Sequence, residues 1–298
     1  MSLATATHIS IDPAIVDVKE LVLKRAADFT MIPAAAMKAM QVGRNPACSF
    51  KEYTVAIERD VRLTADILSM ANTSLYSAGT PVTTLLDAVR RLGLVKCQEL
   101  ILATCTAGLM KQLPFKHARL REQLWKQGYL TAVVCMQLNQ SLRMGFNGEE
   151  FTAGLMHDLG RSLLAATAPD LYAQIIKEIG PDIHRTLDVE RAILGTDHCE
   201  IGGEFGRRNE LPPQLVSVIQ HHHAPQHDGE YSTLTTLVAL AAQISSRLEA
   251  DQPAVDEESE TMPSSSLVTD MAKLRDVVST MTREFTARTY AEANKLMT

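Results

Sequence analysis

Hydrophobic residues recur at the three- and four-residue spacing of helices along most of this chain, and the alternation typical of strands is hard to find. Near the start, Ile15, Val18 and Val22 fall on one helical face. Pro114 ends a first group of short helices, and a long helix predicted over 117–144 begins a second group. The pattern predicts an all-α protein, a multi-helix bundle in two helical subdomains.

The pattern changes after residue 225. Residues 226–249 predict one further apolar, alanine-rich helix, whereas residues 250–266 are acidic and rich in Ser and Pro. Such a segment cannot bury itself, which predicts a linker or flexible loop. Apolar residues over 267–298 then predict one amphipathic C-terminal helix, which we expect to pack back onto its own chain; a dimerisation or partner helix is the alternative. Before residue 226, the sequence predicts an N-terminal segment (1–20) and a main domain (21–225), whose two halves span about 21–114 and 115–225.

Composition excludes several classes of protein. The chain has 298 residues, of which 46% are hydrophobic and 21% charged, which is typical of globular proteins with one or two cores. The net charge is −6 and the basic residues are scattered, so we expect no nucleic-acid partner. No signal-peptide pattern begins the chain, and no apolar run reaches the roughly 18–20 residues of a membrane span. The five cysteines form no C-x-x-C pair and indicate reduced, buried thiols. We therefore expect a cytoplasmic protein without a membrane partner.

The most informative motif is Gly154-Leu155-Met156-His157-Asp158-Leu159-Gly160. Its His157 and Asp158 offer an imidazole and a carboxylate from one helical turn, and His198 and the triplet 221–223 follow. A divalent metal that activates water needs several such side chains to converge, with one position left open for substrate. A His-Asp dipeptide alone is a weak signal, but the nearby glycines and later histidines strengthen it.

The same residues have a structural interpretation. Asp158 can hydrogen-bond a neighbouring imidazole, so that it and His198 only stabilise the fold, and we favour this interpretation for both residues. The triplet 221–223 is expected at a solvated helix end, where cationic imidazoles suit the helix dipole. The sequence contains neither a P-loop nor a G-x-S-x-G motif, so phosphoryl transfer from ATP and serine hydrolysis are not expected.

Four segments together resemble the HDOD family, the HD-related output domains of bacterial signalling proteins. They are Asp66–Tyr76, Leu86–Gly93, Gly154–Gly160 and Gly195–His198, and the resemblance covers roughly residues 21–224. It implies an all-helical, bacterial, cytoplasmic protein of signal transduction. Members of the family act by binding other proteins, typically without demonstrated catalysis.

The resemblance also implies a set of metal ligands. His157 and Asp158 match the His-Asp pair of the HD superfamily, His198 matches the later histidine, and His222 belongs to the matching histidine pair, His221-His222. We therefore take His157, Asp158, His198 and His222 as the candidate metal ligands.

Two positions depart from that pattern. Gln127 stands where the family often has the histidine of a Trp-x-His motif, and Ala242 stands where catalytic HD enzymes place a closing Asp. Glutamine is a poor ligand for a transition metal and alanine is none. The site is therefore expected to be vestigial or to bind metal weakly.

We interpret the chain as a regulatory module that binds bacterial signalling proteins and has no catalytic or cofactor-binding residues. A divalent transition metal is the one candidate cofactor, and a homodimer is a candidate assembly. The alternative is a metal-dependent phosphohydrolase acting on a cyclic dinucleotide or nucleotide, as related HD-GYP enzymes do, although no Gly-Tyr-Pro element follows the His-Asp pair. A sensor that binds a small ligand in the vestigial pocket is a third hypothesis.

Overall fold

The computed structural model describes residues 17–29, 34–43, 45, 47–72, 80–180, 185–250 and 271–297. All regular secondary structure in these residues is helical, which confirms the predicted all-α fold. Most of the predicted N-terminal segment and nearly all of the predicted acidic linker lie outside the described residues.

The first half contains six helices, four of which begin after a residue whose side chain accepts a backbone N–H of the first turn. Ser49 and Glu52 form a capping box, in which each side chain accepts the other residue's backbone N–H, and Thr84 accepts the N–H of Asp87 as expected for an N-cap. Gly93, at φ 79°, separates the last two helices in a conformation that favours glycine. The helices are α1 (Val18–Ala26), α2 (Ala34–Gly43), α3 (Phe50–Ile57), α4 (Val61–Ala71), α5 (Leu85–Leu92) and α6 (Leu94–Gln112).

The second half continues with eight helices and a short 3-10 turn at Pro225–His227. The apolar spacing of residues 151–166 favours one continuous helix, but the structure interrupts it at the His157-Asp158 pair. Asp158 has φ −97° and ψ 23°, and its carboxylate faces other side chains instead of capping the next helix. The helices are α7 (Ala118–Leu142), α8 (Glu149–Met156), α9 (Leu159–Thr167), α10 (Pro169–Ile179), α11 (Thr186–Leu194), α12 (His198–Arg208), α13 (Pro213–His221) and α14 (Ser232–Glu249).

The C-terminal region forms two helices, α15 (Met271–Ser279) and α16 (Arg283–Met297), so the expectation of one helix is wrong. The chain turns between them, and Thr282 accepts the backbone N–H of Phe285 at 3.4 Å, which begins α16. Both helices pack back onto the chain as predicted. Leu274 and Phe285 are buried in the larger of the two apolar clusters described below, and the indole N–H of Trp125 donates to the Ala293 carbonyl at 2.8 Å.

Buried apolar side chains form two clusters, which we call the first core and the second core. The first core gathers residues of α2 to α6, and the second gathers residues of α1 and of α6 to α16. Helix α6 contributes to both, which joins the two helical subdomains. Within the described part of the chain, no single helix is long and apolar enough to cross a membrane; α5 and α6 meet that test only together, and the chain bends by 107° between them.

Close contact between α9 and α12 positions the His-Asp pair. A side chain at Gly160 would collide with the backbone of His198 and Gly202, so only glycine allows the two helices to approach this closely. The contact places the start of α12 beside the junction of α8 and α9. The motif glycine therefore serves the geometry of the site.

Candidate metal centre

Three parts of the second half bring the predicted ligands together. His157 and Asp158 lie at the junction of α8 and α9, His198 begins α12, and His222 follows α13. Their side chains are 2%, 14%, 0% and 2% exposed, in that order. The four residues chosen from the sequence thus form one buried cluster.

The three imidazoles surround the carboxylate of Asp158. Its Oδ1 lies 3.3 Å from Nε2 of His198 and 3.4 Å from Nε2 of His222, and its Oδ2 lies 3.7 Å from Nε2 of His157. The same ring nitrogen of each histidine therefore faces Asp158, although the three come from different places in the sequence.

The other ring nitrogen of each histidine is held from outside the cluster. Nδ1 of His157 donates to the Gly154 carbonyl at 2.7 Å, and Nδ1 of His222 donates to the Ile219 carbonyl at 3.1 Å. Carbonyl oxygens only accept, so the hydrogen is on Nδ1. In the neutral rings Nε2 then has the free lone pair, which is the tautomer that a metal ligand needs.

Glu190 orients the third histidine, and the sequence did not reveal it. Its Oε2 accepts from Nδ1 of His198 at 2.7 Å and from the His198 backbone N–H at 2.9 Å. Glu190 lies on α11 and is 1% exposed. A carboxylate behind a ligating imidazole is the usual supporting contact in metal sites. A glutamate eight positions before His198 gives no local signal of this role.

Two acceptor atoms in the cluster make no hydrogen bond. Oδ1 of Asp158 and Nε2 of His222 are both buried and unpartnered, although they are 3.4 Å apart. A buried acceptor without a partner costs about 1–3 kcal/mol, so each of these atoms needs a proton or a cation beside it. A cation between them would satisfy both atoms, so the residues present fit a divalent transition metal.

Arg161 neutralises Asp158 from the opposite side. Its Nη1 donates to Oδ2 of Asp158 at 2.9 Å. Burial alone would raise the pKa of Asp158, but Arg161 and the surrounding histidines outweigh burial and hold the pKa well below its usual range. Asp158 is therefore a carboxylate at neutral pH, which is the form that binds metal.

The histidines differ in their protonation. Burial lowers the pKa of His157 to about 4, so this ring is neutral at pH 7. Burial also opposes a charge on His198 and His222, but Cys199 and Asp158 raise the pKa of His198 well above its usual value and that of His222 to about 9. Without a metal, protons on these two rings balance the buried carboxylates. A metal ion must displace those protons in order to bind.

The histidine triplet is placed differently from the expectation. His223 is exposed and His221 half-buried, whereas His222 is buried in the cluster. The solvated helix end predicted for all three residues is therefore wrong for His222, whose ring packs 5.0 Å from that of His157, centroid to centroid. His222 keeps the helical conformation at the C-cap of α13, three and four positions after the buried Ile219 and Val218, so it lies on the same inward face.

Gln127 and Ala242 are half-buried on α7 and α14, and both helices pack against α8. As the sequence indicated, an amide and a methyl group occupy these positions. Neither position therefore adds an imidazole or a carboxylate to the cluster.

The comparisons with known proteins agree with this architecture. The chain is 24% identical over 236 residues to an uncharacterized protein of Treponema pallidum (strain Nichols); the alignment covers 77% of this chain and 44% of that protein, so the chain spans less than half of that relative. Its fold is similar to the "Putative phosphohydrolase" of Shewanella amazonensis SB2B, with a TM-score of 0.69, 24% identity and coverage of 93% and 98% of the two chains. It is also similar to a "Putative signal transduction protein" of Marinobacter aquaeolei VT8, with a TM-score of 0.74, 20% identity and coverage of 97% and 68%.

At these identities the solved structures show the fold alone, and their differing names illustrate that a fold does not decide a function. The family assignment has a separate basis. The model of the HDOD domain matches residues 29–225, which include the His-Asp pair, His198 and His222. Because this match covers most of the chain, the chain belongs to the HDOD domain family.

Proposed function

We propose that this chain is a non-catalytic signalling module that acts by binding partner proteins, and that its buried cluster holds one divalent ion as a structural centre. His157, Asp158, His198 and His222 would hold the ion. The observation that carries the proposal is the enclosure of these donors, whose side chains are at most 14% exposed.

Enclosure argues against hydrolysis. A hydrolytic metal centre keeps a coordination position open and must admit its substrate, whereas a structural centre is closed by protein ligands. A second ion would need further donors, and Gln127 and Ala242 supply neither an imidazole nor a carboxylate. The arrangement therefore favours a single, closed centre.

An ion in the cluster would link the α8–α9 junction to the start of α12 and the end of α13. When bound, it would take the place of the ring protons and supply positive charge beside the oxygen of Asp158 and the nitrogen of His222, neither of which makes a hydrogen bond. Glu190 orients His198, and Arg161 holds the other oxygen of Asp158. Loss of the ion would therefore loosen the surface that α12 and α13 present to partners. Those partners are expected among bacterial signalling proteins.

The test compares metal-dependent stability with turnover in the full chain. The wild type, His157→Ala and a control, His117→Ala, are stripped of metal and then given zinc or manganese. His117 is a suitable control because it is exposed at the start of α7 and its side chain makes no capping hydrogen bond. Thermal unfolding and hydrolysis of cyclic dinucleotides and nucleoside phosphates are then measured.

We expect zinc to raise the unfolding temperature of the wild type and of His117→Ala but not of His157→Ala, with no product from any of them. Product formed by the wild type and lost in His157→Ala would overturn the proposal. That result would establish the alternative, a metal-dependent phosphohydrolase.

A further inference from the structure

Cys199 lies beside the metal centre and has surroundings unlike those of the other buried cysteines. Its Sγ lies 3.5 Å from Nε2 of His198 and 4.0 Å from Nδ1 of His222. Cys97 and Cys105 belong to the first core and Cys135 to the second, whereas Cys199 is 4% exposed and belongs to neither. Its polar neighbours are ring nitrogens of the cluster.

The separations match those between ligands of one ion. Zinc–nitrogen bonds of about 2.0–2.1 Å and zinc–sulfur bonds of about 2.3 Å, at tetrahedral angles, give nitrogen–sulfur separations of about 3.5 Å and nitrogen–oxygen separations of about 3.4 Å. Nε2 of His198 lies 3.5 Å from Cys199 Sγ and 3.3 Å from Asp158 Oδ1. One ring nitrogen thus has a sulfur and an oxygen at the spacing of shared coordination.

The same group of donors includes the buried His222 and the exposed His223. Ligand atoms of His198, Cys199, His222 and His223 all lie within 4.8 Å of one another. The buried Nε2 of His222 makes no hydrogen bond, so this nitrogen is free to bind a cation once its proton is displaced.

We infer that Cys199 is a metal ligand, which adds a soft sulfur donor to the centre and makes it selective for zinc or another thiophilic ion over magnesium and manganese. The inference rests on the proposed function, because it presupposes that the cluster binds an ion. On binding, the S–H bond breaks, its proton passes to solvent, and the electron pair left on sulfur forms the bond to the metal. Thiolate ligands favour zinc, whereas magnesium and manganese prefer oxygen.

The test is a titration of the metal-free full chain with Co²⁺ under reducing conditions, followed by absorption spectroscopy. The absorption spectrum of bound Co²⁺ depends on its ligands. A thiolate ligand produces a charge-transfer band in the near ultraviolet, and a coordination shell of low symmetry produces visible d–d bands. The variants are Cys199→Ser and a control, Cys48→Ser, whose half-buried thiol packs against the first core and donates to the neighbouring Ser49 carbonyl at 3.4 Å. Zinc affinity is measured by competition in parallel.

We expect the charge-transfer band in the wild type and Cys48→Ser and its loss in Cys199→Ser, with zinc affinity weakened by more than about tenfold. Visible d–d bands in the wild type without a charge-transfer band would overturn the role of Cys199 and leave the metal centre standing. Absence of any cobalt spectrum or zinc binding would overturn both proposals. The wild-type spectrum decides the question even if Cys199→Ser fails to fold.

Discussion

The first core and the metal centre bury cysteines in opposite ways. In the first core, burial raises the pKa of Cys97 and of Cys105 to about 12, so these thiols stay neutral. At the metal centre burial also raises the pKa of Cys199, but His198 and His222 outweigh it and lower the value to about 7. The comparison shows that charged neighbours, more than depth, decide what a buried group can do.

The same contrast applies to the energetics of the two regions. The first core gains stability from apolar burial and helix caps, whereas the centre buries carboxylates and imidazoles at a cost that ion pairing rarely repays in full. Clusters of groups with perturbed pKa values are typical of functional sites. The molecule thus separates a region that stabilises the fold from a region that retains chemistry.

The largest effect is expected from Asp158→Ala, which removes the carboxylate at the middle of the metal centre. The substitution leaves the half-buried Arg161 and the buried imidazoles without their carboxylate, so we expect a loss of about 3–5 kcal/mol of unfolding free energy and of all zinc-dependent stabilisation. Urea unfolding with and without zinc measures both effects. The exposed Asp87 on α5 provides the control, since Asp87→Ala should cost less than about 1 kcal/mol. Equal stability of the two variants would contradict this account of the centre.

A substitution in the first core tests whether that region is stabilised independently of the metal centre. Ile101 is 1% exposed, and Ile101→Ala should lower the unfolding free energy by about 2–4 kcal/mol because it leaves a cavity. The loss should be the same with and without zinc. Val95→Ala, on the exposed side of the same helix, should change stability by less than about 0.5 kcal/mol. A zinc-dependent loss for Ile101→Ala would show that the two regions are coupled.

Glu190→Gln is expected to act on metal affinity more than on the fold. Glutamine lacks the charge that holds Nδ1 of His198, so zinc affinity should fall by about 10–100-fold, as for other supporting contacts of metal ligands. Isothermal titration with zinc measures the change. Glu204→Gln, on the surface of α12, removes a carboxylate that pairs only with Arg207 and Arg208, and it should leave zinc affinity unaltered. A similar affinity for both variants would remove Glu190 from the centre.

The smallest expected effect is that of a helix cap in the first half. Ser49→Ala should cost about 1 kcal/mol and leave zinc affinity unchanged, because it removes one bond of the capping box of α3. Bonds from the Ser49 backbone and hydroxyl lower the pKa of Glu52 below its ordinary value of 4.5. The stability that Glu52 contributes is therefore present above pH 4.5 and is lost as the pH falls below it. A stability difference that grows in acid would contradict this assignment.

The sequence predicted the helices and the candidate ligands because both leave local signals. Apolar spacing located most helices, and His157, Asp158, His198 and His222 do lie together. Metal binding by this set stays a prediction.

The remaining features depend on contacts that a local pattern does not contain. The apolar spacing continues through His157 and Asp158, so nothing in it marks the break between α8 and α9. Glu190 and Arg161 act on the centre through side chains whose positions depend on how the helices pack. The turn between α15 and α16 likewise follows from packing against the second core.

The most direct test of the central claim is the metal content of the untagged chain, expressed without chelator and measured by elemental mass spectrometry. The account predicts about one transition-metal ion per chain in the wild type and in Asp87→Ala, and none in Asp158→Ala. A metal-free wild type that resists loading with zinc would contradict it. The cluster would then be a purely structural network of protons, carboxylates and Arg161.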